Sequence, residues 1–90
     1  MALFNLGKIV ATPGALDVLM RSSQSPGEFL TMHARGEWGN LDAFDTEANQ
    51  TAIREGGRIF STYKTRCDDD LWIITEEDRS STCILLPSDY

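Results

Sequence analysis

Apolar and polar residues alternate through the last third of the chain, from Gly57 to Tyr90. Alternation of this kind is typical of β-strands, because successive side chains point to opposite faces of a sheet. The charged segments 68–70 and 76–79 interrupt the pattern and are predicted to be turns. The sequence therefore predicts a three-stranded antiparallel meander with strands over 58–65, 71–75 and 81–86. The alternation predicts that Ile59, Ser61 and Tyr63 share one face of the first strand, and that the other face carries Arg58, Phe60, Thr62 and Lys64.

Earlier in the chain, apolar residues recur at helical spacing behind residues that favour helix starts. Thr12 is predicted to cap a first helix, because the following Pro13 loses no hydrogen bond at the first helical position. Ser25 and Glu28 have the spacing of a capping box. They predict a second helix that ends near Gly36, a residue suited to a left-handed C-terminal cap.

A third helix is predicted from about Asp45 to Glu55, opened by Asp42 or Asp45 and followed by two glycines. Residues 3–11 favour a short strand or an extended arm laid against the core. Together these elements predict an α+β fold, with about three short helices packed on one face of a small antiparallel sheet. With 90 residues, the chain is expected to form a single compact domain over residues 1–90.

The net charge of the chain bears on whether nucleic acid can be a partner. Fourteen acidic residues against eight basic ones give a net charge of −6, which repels a phosphate backbone. Direct binding of nucleic acid is therefore not predicted. The basic residues of the second half are interleaved with acids rather than gathered in a patch, and they include Arg54, Arg58, Lys64, Arg66 and Arg79.

The N-terminal residues contain no basic segment ahead of an apolar run, so neither a signal peptide nor a membrane helix is expected, and a cytoplasmic location is predicted. Cys67 and Cys83 fit reduced thiols, because small disulfide-stabilised domains usually carry more cysteines. In a meander Cys83 lies in the third strand, opposite about Ile73, while Cys67 lies at the far hairpin, so no bond between them is predicted. Two cysteines and one histidine make a poor zinc set, and neither a metal nor a cofactor is predicted.

His33 is the one side chain with a pKa suited to proton transfer near neutrality. A catalytic interpretation makes it the general base of a small hydrolase or nuclease, working with a nearby carboxylate. The structural interpretation places it at a helix C-terminus, stabilised by the helix dipole and bonded to the following loop. The structural interpretation is favoured, because the chain contains no recognisable nucleophile, phosphate-binding or metalloprotease motif.

A partner-binding surface is predicted from tryptophan, arginine and exposed acids, since aromatic residues and arginine supply most interface hot spots. Trp38 and Trp72 are the residues best suited to meeting a partner. Trp38, between two glycines, is equally suited to covering the core edge. For Trp72 core packing is the favoured interpretation, because its neighbours alternate as in a half-buried strand. The aspartates at 68–70 are predicted to form a solvated turn, not a cation site. The predicted partner-binding residues are Glu37, Trp38, Asp42, Asp45, Glu76, Glu77, Asp78 and Arg79.

Three segments together, 33–39, 57–63 and 72–90, resemble a family of small uncharacterised bacterial proteins carried on plasmids and other mobile elements. The resemblance covers roughly residues 9–90. It implies an accessory protein of a mobile element or phage, and it implies no catalytic or binding residue.

The expected function is that of a small acidic interaction module that inhibits a host nucleic-acid-processing defence complex, of the restriction or CRISPR type, by occupying its surface. A surface rich in aspartate and glutamate can compete with phosphate for basic residues. A hydrolase or nuclease using His33 and a structural or regulatory subunit are the alternatives. A protein partner is expected, and the sequence does not indicate whether the chain dimerises.

Overall fold

A computed structural model describes residues 2–90 and confirms the α+β class. One four-stranded sheet, three α-helices and a final 3-10 turn follow one another along the chain. The elements are β1 (Lys8–Ala11), α1 (Pro13–Arg21), α2 (Pro26–Ala34), α3 (Ala43–Glu55), β2 (Ile59–Lys64), β3 (Asp70–Thr75), β4 (Ser81–Leu85) and the 3-10 turn Pro87–Asp89.

The strand order across the sheet is β1-β4-β3-β2. Strands β2, β3 and β4 form the predicted antiparallel meander, whereas β1 pairs in parallel with β4. The sheet is therefore mixed, and the expectation of a purely antiparallel sheet is corrected at this one edge. Cys83 pairs with Ile74, and both Cys67 and Cys83 are free thiols, as predicted.

Each helix begins at a side chain that the sequence identified as a cap. The hydroxyls of Thr12 and Ser25 accept the backbone N–H groups three residues on, and the Asp42 carboxylate does the same for Asp45. Asp42 is therefore the cap of α3, which begins at Ala43, two residues earlier than predicted. None of the helices within residues 2–90 is long and apolar enough to cross a membrane.

The helices cover one face of the sheet, which is called the covered face below. Ile59, Ser61 and Tyr63 share one face of β2 as predicted, and the structure turns this face inward, where all three are buried. Helices α1 and α2 pack on the centre of this face. The main core comprises Ala15, Val18, Leu19, Phe29, Tyr63, Leu71, Ile73 and Ile84.

The outer edge of β2 is hydrogen-bonded from two directions. Asn49 of α3 donates from its side-chain amide to the Phe60 carbonyl (2.7 Å) and accepts the Phe60 N–H (3.0 Å). The Trp38 carbonyl accepts the Thr62 N–H (3.1 Å), and the Asn40 N–H donates to the Thr62 carbonyl (2.9 Å). An edge whose backbone groups are occupied in this way cannot accept a further strand.

Candidate functional site

The predicted partner-binding residues fall in two separate places. Glu37, Trp38, Asp42 and Asp45 belong to the connection between α2 and α3 and to the first turn of α3, whereas residues 76–79 form the turn between β3 and β4. Glu37 is exposed and pairs with Arg35 at 3.1 Å, and Asp42 caps α3. These two carboxylates already serve local structure.

Arg79 holds the β3–β4 turn in place, with its guanidinium group bonded within the chain. One guanidinium nitrogen donates to the carbonyls of Gly57 (2.6 Å), Glu76 (3.1 Å) and Glu77 (3.2 Å). The other donates to the Ala52 carbonyl (2.9 Å). Arg79 therefore joins the turn to the end of α3 through backbone carbonyls.

Three acids of this turn remain on the surface, around a shallow groove of about 480 Å³ lined by Glu76, Glu77, Asp78 and Ser80. Hydrogen bonds from the side chain and the backbone of Ser80 lower the pKa of Asp78, so its carboxylate stays charged. The turn therefore keeps the acidic character that the sequence predicts.

Trp38 lies at the core edge, with only 8% of its surface exposed. Its ring packs with Ala52 and Ile59, and its indole N–H donates to the His33 carbonyl at 3.1 Å. The neighbouring Gly39 has a φ of +78°, and a Cβ there would collide with the sheet edge. Of the two roles that the sequence left open for Trp38, the structure therefore supports covering the core edge. Trp38 is not part of an exposed partner-binding surface.

His33 is fully buried at the end of α2 and joins a chain of hydroxyl groups on the covered face. Its Nδ1 lies 2.5 Å from the Ser61 Oγ, and its Nε2 lies 2.9 Å from the Thr75 Oγ1. Thr75 in turn contacts the Thr82 hydroxyl (2.7 Å), which donates to the Leu6 carbonyl (2.7 Å). Four side chains from four different elements therefore share one buried polar network.

The carbonyl at the end of this network fixes the direction of three of its hydrogen bonds. Thr82 donates to a carbonyl, which can only accept, so Thr82 accepts from Thr75. Thr75 must then accept the Nε2–H of His33. In a neutral ring the Nδ1 atom carries no proton, so it accepts the Ser61 hydroxyl proton. Each group has a partner when His33 is neutral. Burial lowers the pKa of His33 from 6.5 to about 4, in agreement with this neutral form.

This geometry gives His33 a structural role. Its ring is surrounded by protein, with Phe4 packed against it in an edge-on contact at 5.3 Å between ring centroids. Within residues 2–90 its hydrogen-bond partners are hydroxyls, and no carboxylate is among them. A neutral ring has no charge for the helix dipole to stabilise, so the predicted dipole effect is corrected. The stabilising contacts reach across to the sheet, not to the following loop.

The opposite face of the sheet carries an aromatic cluster that the sequence did not predict. Phe60 and Trp72 meet edge to face at 5.1 Å between ring centroids, and Tyr90 approaches Trp72 at 5.9 Å. The Arg58 guanidinium lies over the Tyr90 ring at 5.9 Å and donates to its hydroxyl at 3.1 Å. We call Arg58, Phe60, Trp72, Ile74 and Tyr90 the aromatic face; they line a depression of about 220 Å³.

The exposure of these side chains distinguishes the aromatic face from the core. Phe60 and Trp72 are half-buried and Tyr90 is 73% exposed, so the packing predicted for Trp72 is only partial. The alternation in the sequence already placed Phe60 on the opposite face of β2 from Ile59 and Ser61. Its meeting with Trp72 and Tyr90 depends on strand register and on the path of the C-terminal turn, which residue patterns do not specify.

Within the part of the chain that the structure describes, no three histidine, cysteine, aspartate or glutamate side chains are grouped to hold a metal ion. Comparisons with protein-family models, with curated proteins and with solved structures found no match for this chain.

Proposed function

We propose that this protein is a non-enzymatic interaction module that binds a protein partner through its aromatic face. The observation that carries this proposal is the cluster of Phe60, Trp72 and Tyr90 on the sheet face that the helices leave uncovered. Tyrosine and tryptophan contribute large contact areas at low cost in conformational entropy, and arginine beside them adds a directional donor. His33, the residue on which the hydrolase or nuclease alternative depends, is buried in the core.

Charge at the border of the aromatic face indicates the kind of partner. Glu76 lies at the end of β3 and pairs with Arg58 at 3.5 Å, and Glu77 and Asp78 follow it in the exposed turn. A partner that presents a basic rim around an apolar centre would complement both features. Such complementarity mainly raises the rate of encounter and sets specificity. Basic surfaces that normally hold phosphate satisfy this description.

The resemblance to proteins of mobile elements supports a more specific setting for the proposal. A small acidic protein of a plasmid or phage, acting in the cytoplasm, would occupy the nucleic-acid-binding surface of a host defence complex of the restriction or CRISPR type. Its net charge of −6 is consistent with competition against phosphate. This setting rests on the resemblance, whereas the interaction surface rests on the aromatic face.

The test compares two exposed aromatic residues. Tyr90→Ala removes a ring of the aromatic face, and Phe44→Ala, the matched control, removes a ring that is 81% exposed on α3. Tagged wild type and both variants are used to capture partners from the native host, and the affinity of the captured complex is then measured. Tyr90→Ala should weaken binding at least about tenfold, or 1.4 kcal/mol, and Phe44→Ala less than about twofold. Equal losses would contradict the proposed surface.

A gel-shift assay with duplex DNA and RNA tests the charge argument separately. At about 0.15 M salt we expect no complex with bare nucleic acid, because releasing counterions cannot drive binding to a surface of net negative charge. Tight binding that weakens with salt would contradict the competitor mechanism. It would direct attention instead to the basic residues Arg54, Arg58, Lys64 and Arg66.

A further inference from the structure

Strand β1 leaves the second edge of the sheet open. The Lys8 N–H donates to the Ser80 carbonyl and the Thr12 N–H to the Ile84 carbonyl, each at 3.0 Å, so even-numbered residues of this strand point their backbone groups toward β4. The backbone groups of Ile9 and Ala11 therefore point away from the sheet. In the part of the chain that the structure describes, nothing hydrogen-bonds to them.

The side chains on this edge are also unprotected. Ile9 is 43% exposed and Val10 is 40% exposed, and the strand contains one charged residue, Lys8, at its start. Natural edge strands avoid strand addition through short length, charged side chains such as lysine, proline, inward-pointing charges, bulges or a covering segment. The β2 edge of this same sheet is covered by hydrogen bonds from other segments. Strand β1 is short, with four residues, and carries Lys8, but within residues 2–90 it contains no proline or bulge and no segment covers its outer edge. The difference indicates that β1 is an edge available for pairing.

We propose that the occupant of this edge is a second copy of the chain. Two β1 strands would pair antiparallel about a twofold axis through Val10, joining two sheets into one of eight strands. This register places Ile9 of each copy opposite Ala11 of the other. The outward N–H groups and carbonyls of both residues in both copies would then form hydrogen bonds. Self-complementary pairing about a twofold axis is the commonest form of association between identical subunits.

Side chains also fit this register. Val10 would meet its own symmetry mate at a pair without direct hydrogen bonds, where Cα atoms lie about 4.5 Å apart and side chains are closest. Lys8 would lie opposite the partner's Thr12, whose hydroxyl donates to the Asp89 carboxylate at 2.7 Å. The pairing therefore buries two valines together and brings an ammonium group toward a carboxylate on each side of the axis.

A register centred on Ile9 instead would use the edge less completely. It would require Gly7 to pair with Ala11, yet Gly7 lies outside the strand with a φ of +66°. Within β1, only the backbone groups of Ile9 would then form hydrogen bonds to the second copy. The register through Val10 is therefore the one that the geometry of β1 favours.

Sedimentation equilibrium at about 0.15 M salt, where charge repulsion beyond about 8 Å is screened, tests the dimer. The wild type should dimerise at micromolar to submillimolar concentration. Val10→Lys, which sets two like charges on the axis, should raise the dimer dissociation constant at least about 30-fold. Met20→Lys is the matched control, since Met20 is an apolar residue 77% exposed on α1, and it should change the constant less than about twofold. A monomeric wild type at 1 mM, or equal effects of the two variants, would overturn the proposal.

Cysteine cross-linking tests the register, in a background carrying Cys67→Ser and Cys83→Ser. The second substitution is needed because Cys83 pairs with Val10 within one chain. Under mild oxidation, Val10→Cys should give a disulfide-linked dimer, since a Cα separation of about 4.5 Å lies within disulfide range. Ile9→Cys should not, because symmetry-related Ile9 residues would be diagonal neighbours about 7–8 Å apart. Cross-linking of both variants to the same extent, or of neither, would overturn this register.

Discussion

The two faces of the sheet place polar and apolar groups in opposite ways. On the covered face, a histidine and its hydroxyl partners lie in the middle of an apolar core. On the other face, Phe60, Trp72 and Tyr90 remain partly or largely in contact with solvent. Histidine, a residue type that often serves in catalysis, thus has a structural role here. Aromatic residues, which are more often found in cores, are partly exposed to solvent. Burial, more than residue type, separates the structural residues from those available to a partner.

The largest expected effect is on the covered face. His33→Ala should lower the free energy of unfolding by about 4 kcal/mol, because it leaves a cavity and deprives the buried hydroxyls of Ser61 and Thr75 of their partner. Urea denaturation measures the loss. The triple variant His33→Leu, Ser61→Ala, Thr75→Val removes every unpaired group and should recover at least about 2 kcal/mol. If it is no more stable than His33→Ala, the network is not the cause.

Acidification should act on the same network. The pKa of His33 is about 4 in the folded protein and 6.5 in the unfolded chain, so the unfolded chain binds more protons between these values. The stability supplied by neutral His33 is complete above pH 6.5 and is lost as the pH falls toward 4, by about 3 kcal/mol in all. Denaturation midpoints measured at several pH values should fall more steeply for the wild type than for the triple variant. Equal slopes would mean that carboxylates alone cause the loss.

A smaller effect is expected on the aromatic face. Trp72→Ala should cost about 2 kcal/mol, roughly half the loss for a fully buried tryptophan, because part of the ring already contacts water. Trp72→Phe keeps the aromatic contact with Phe60 and should lose less than about 1 kcal/mol. Chemical denaturation distinguishes these values. A loss as large as that of His33→Ala would remove the contrast between the two faces.

The smallest expected effect on stability is that of Arg58, whose side chain is 48% exposed. Arg58→Met keeps an unbranched chain but removes the charge over Tyr90 and the pair with Glu76. We expect a loss of about 0.5 kcal/mol at low salt and less at about 1 M salt, since solvent screens exposed charges. A loss above about 2 kcal/mol, unchanged by salt, would show that Arg58 is a core residue.

Local patterns predicted the local structure well. Thr12, Ser25 and Asp42 cap the three helices because a cap depends on a side chain and a backbone N–H only three residues apart. The meander was readable for a similar reason, since consecutive strands joined by short turns usually pair with each other. The parallel partner of β1 was not predicted, because Lys8 and Ser81 are far apart in the chain and alternation carries no information about which strand lies beside another.

The candidate sites depended more strongly on long-range contacts. His33 meets Ser61 and Thr75 across 28 and 42 residues, and no spacing in the sequence links them. Trp38 looked equally suited to the core or to a partner until the fold placed its ring against Ala52 and Ile59. The acids of the β3–β4 turn stayed on the surface as predicted, because a charged turn between two strands has little other place to go.

The sequence by itself determined the starts of the first two helices, the meander, the α+β class and the acidic charge, and it limited the cap of the third helix to Asp42 or Asp45. All of these follow from neighbouring residues or from composition. Tertiary structure decided three further properties: the neutral state of His33, the burial of Trp38 and the contrast between a covered and an open sheet edge. Each of these depends on which groups exclude water from a given atom. That exclusion is produced by elements distant in the chain, so it exists only once the sheet and helices have packed together.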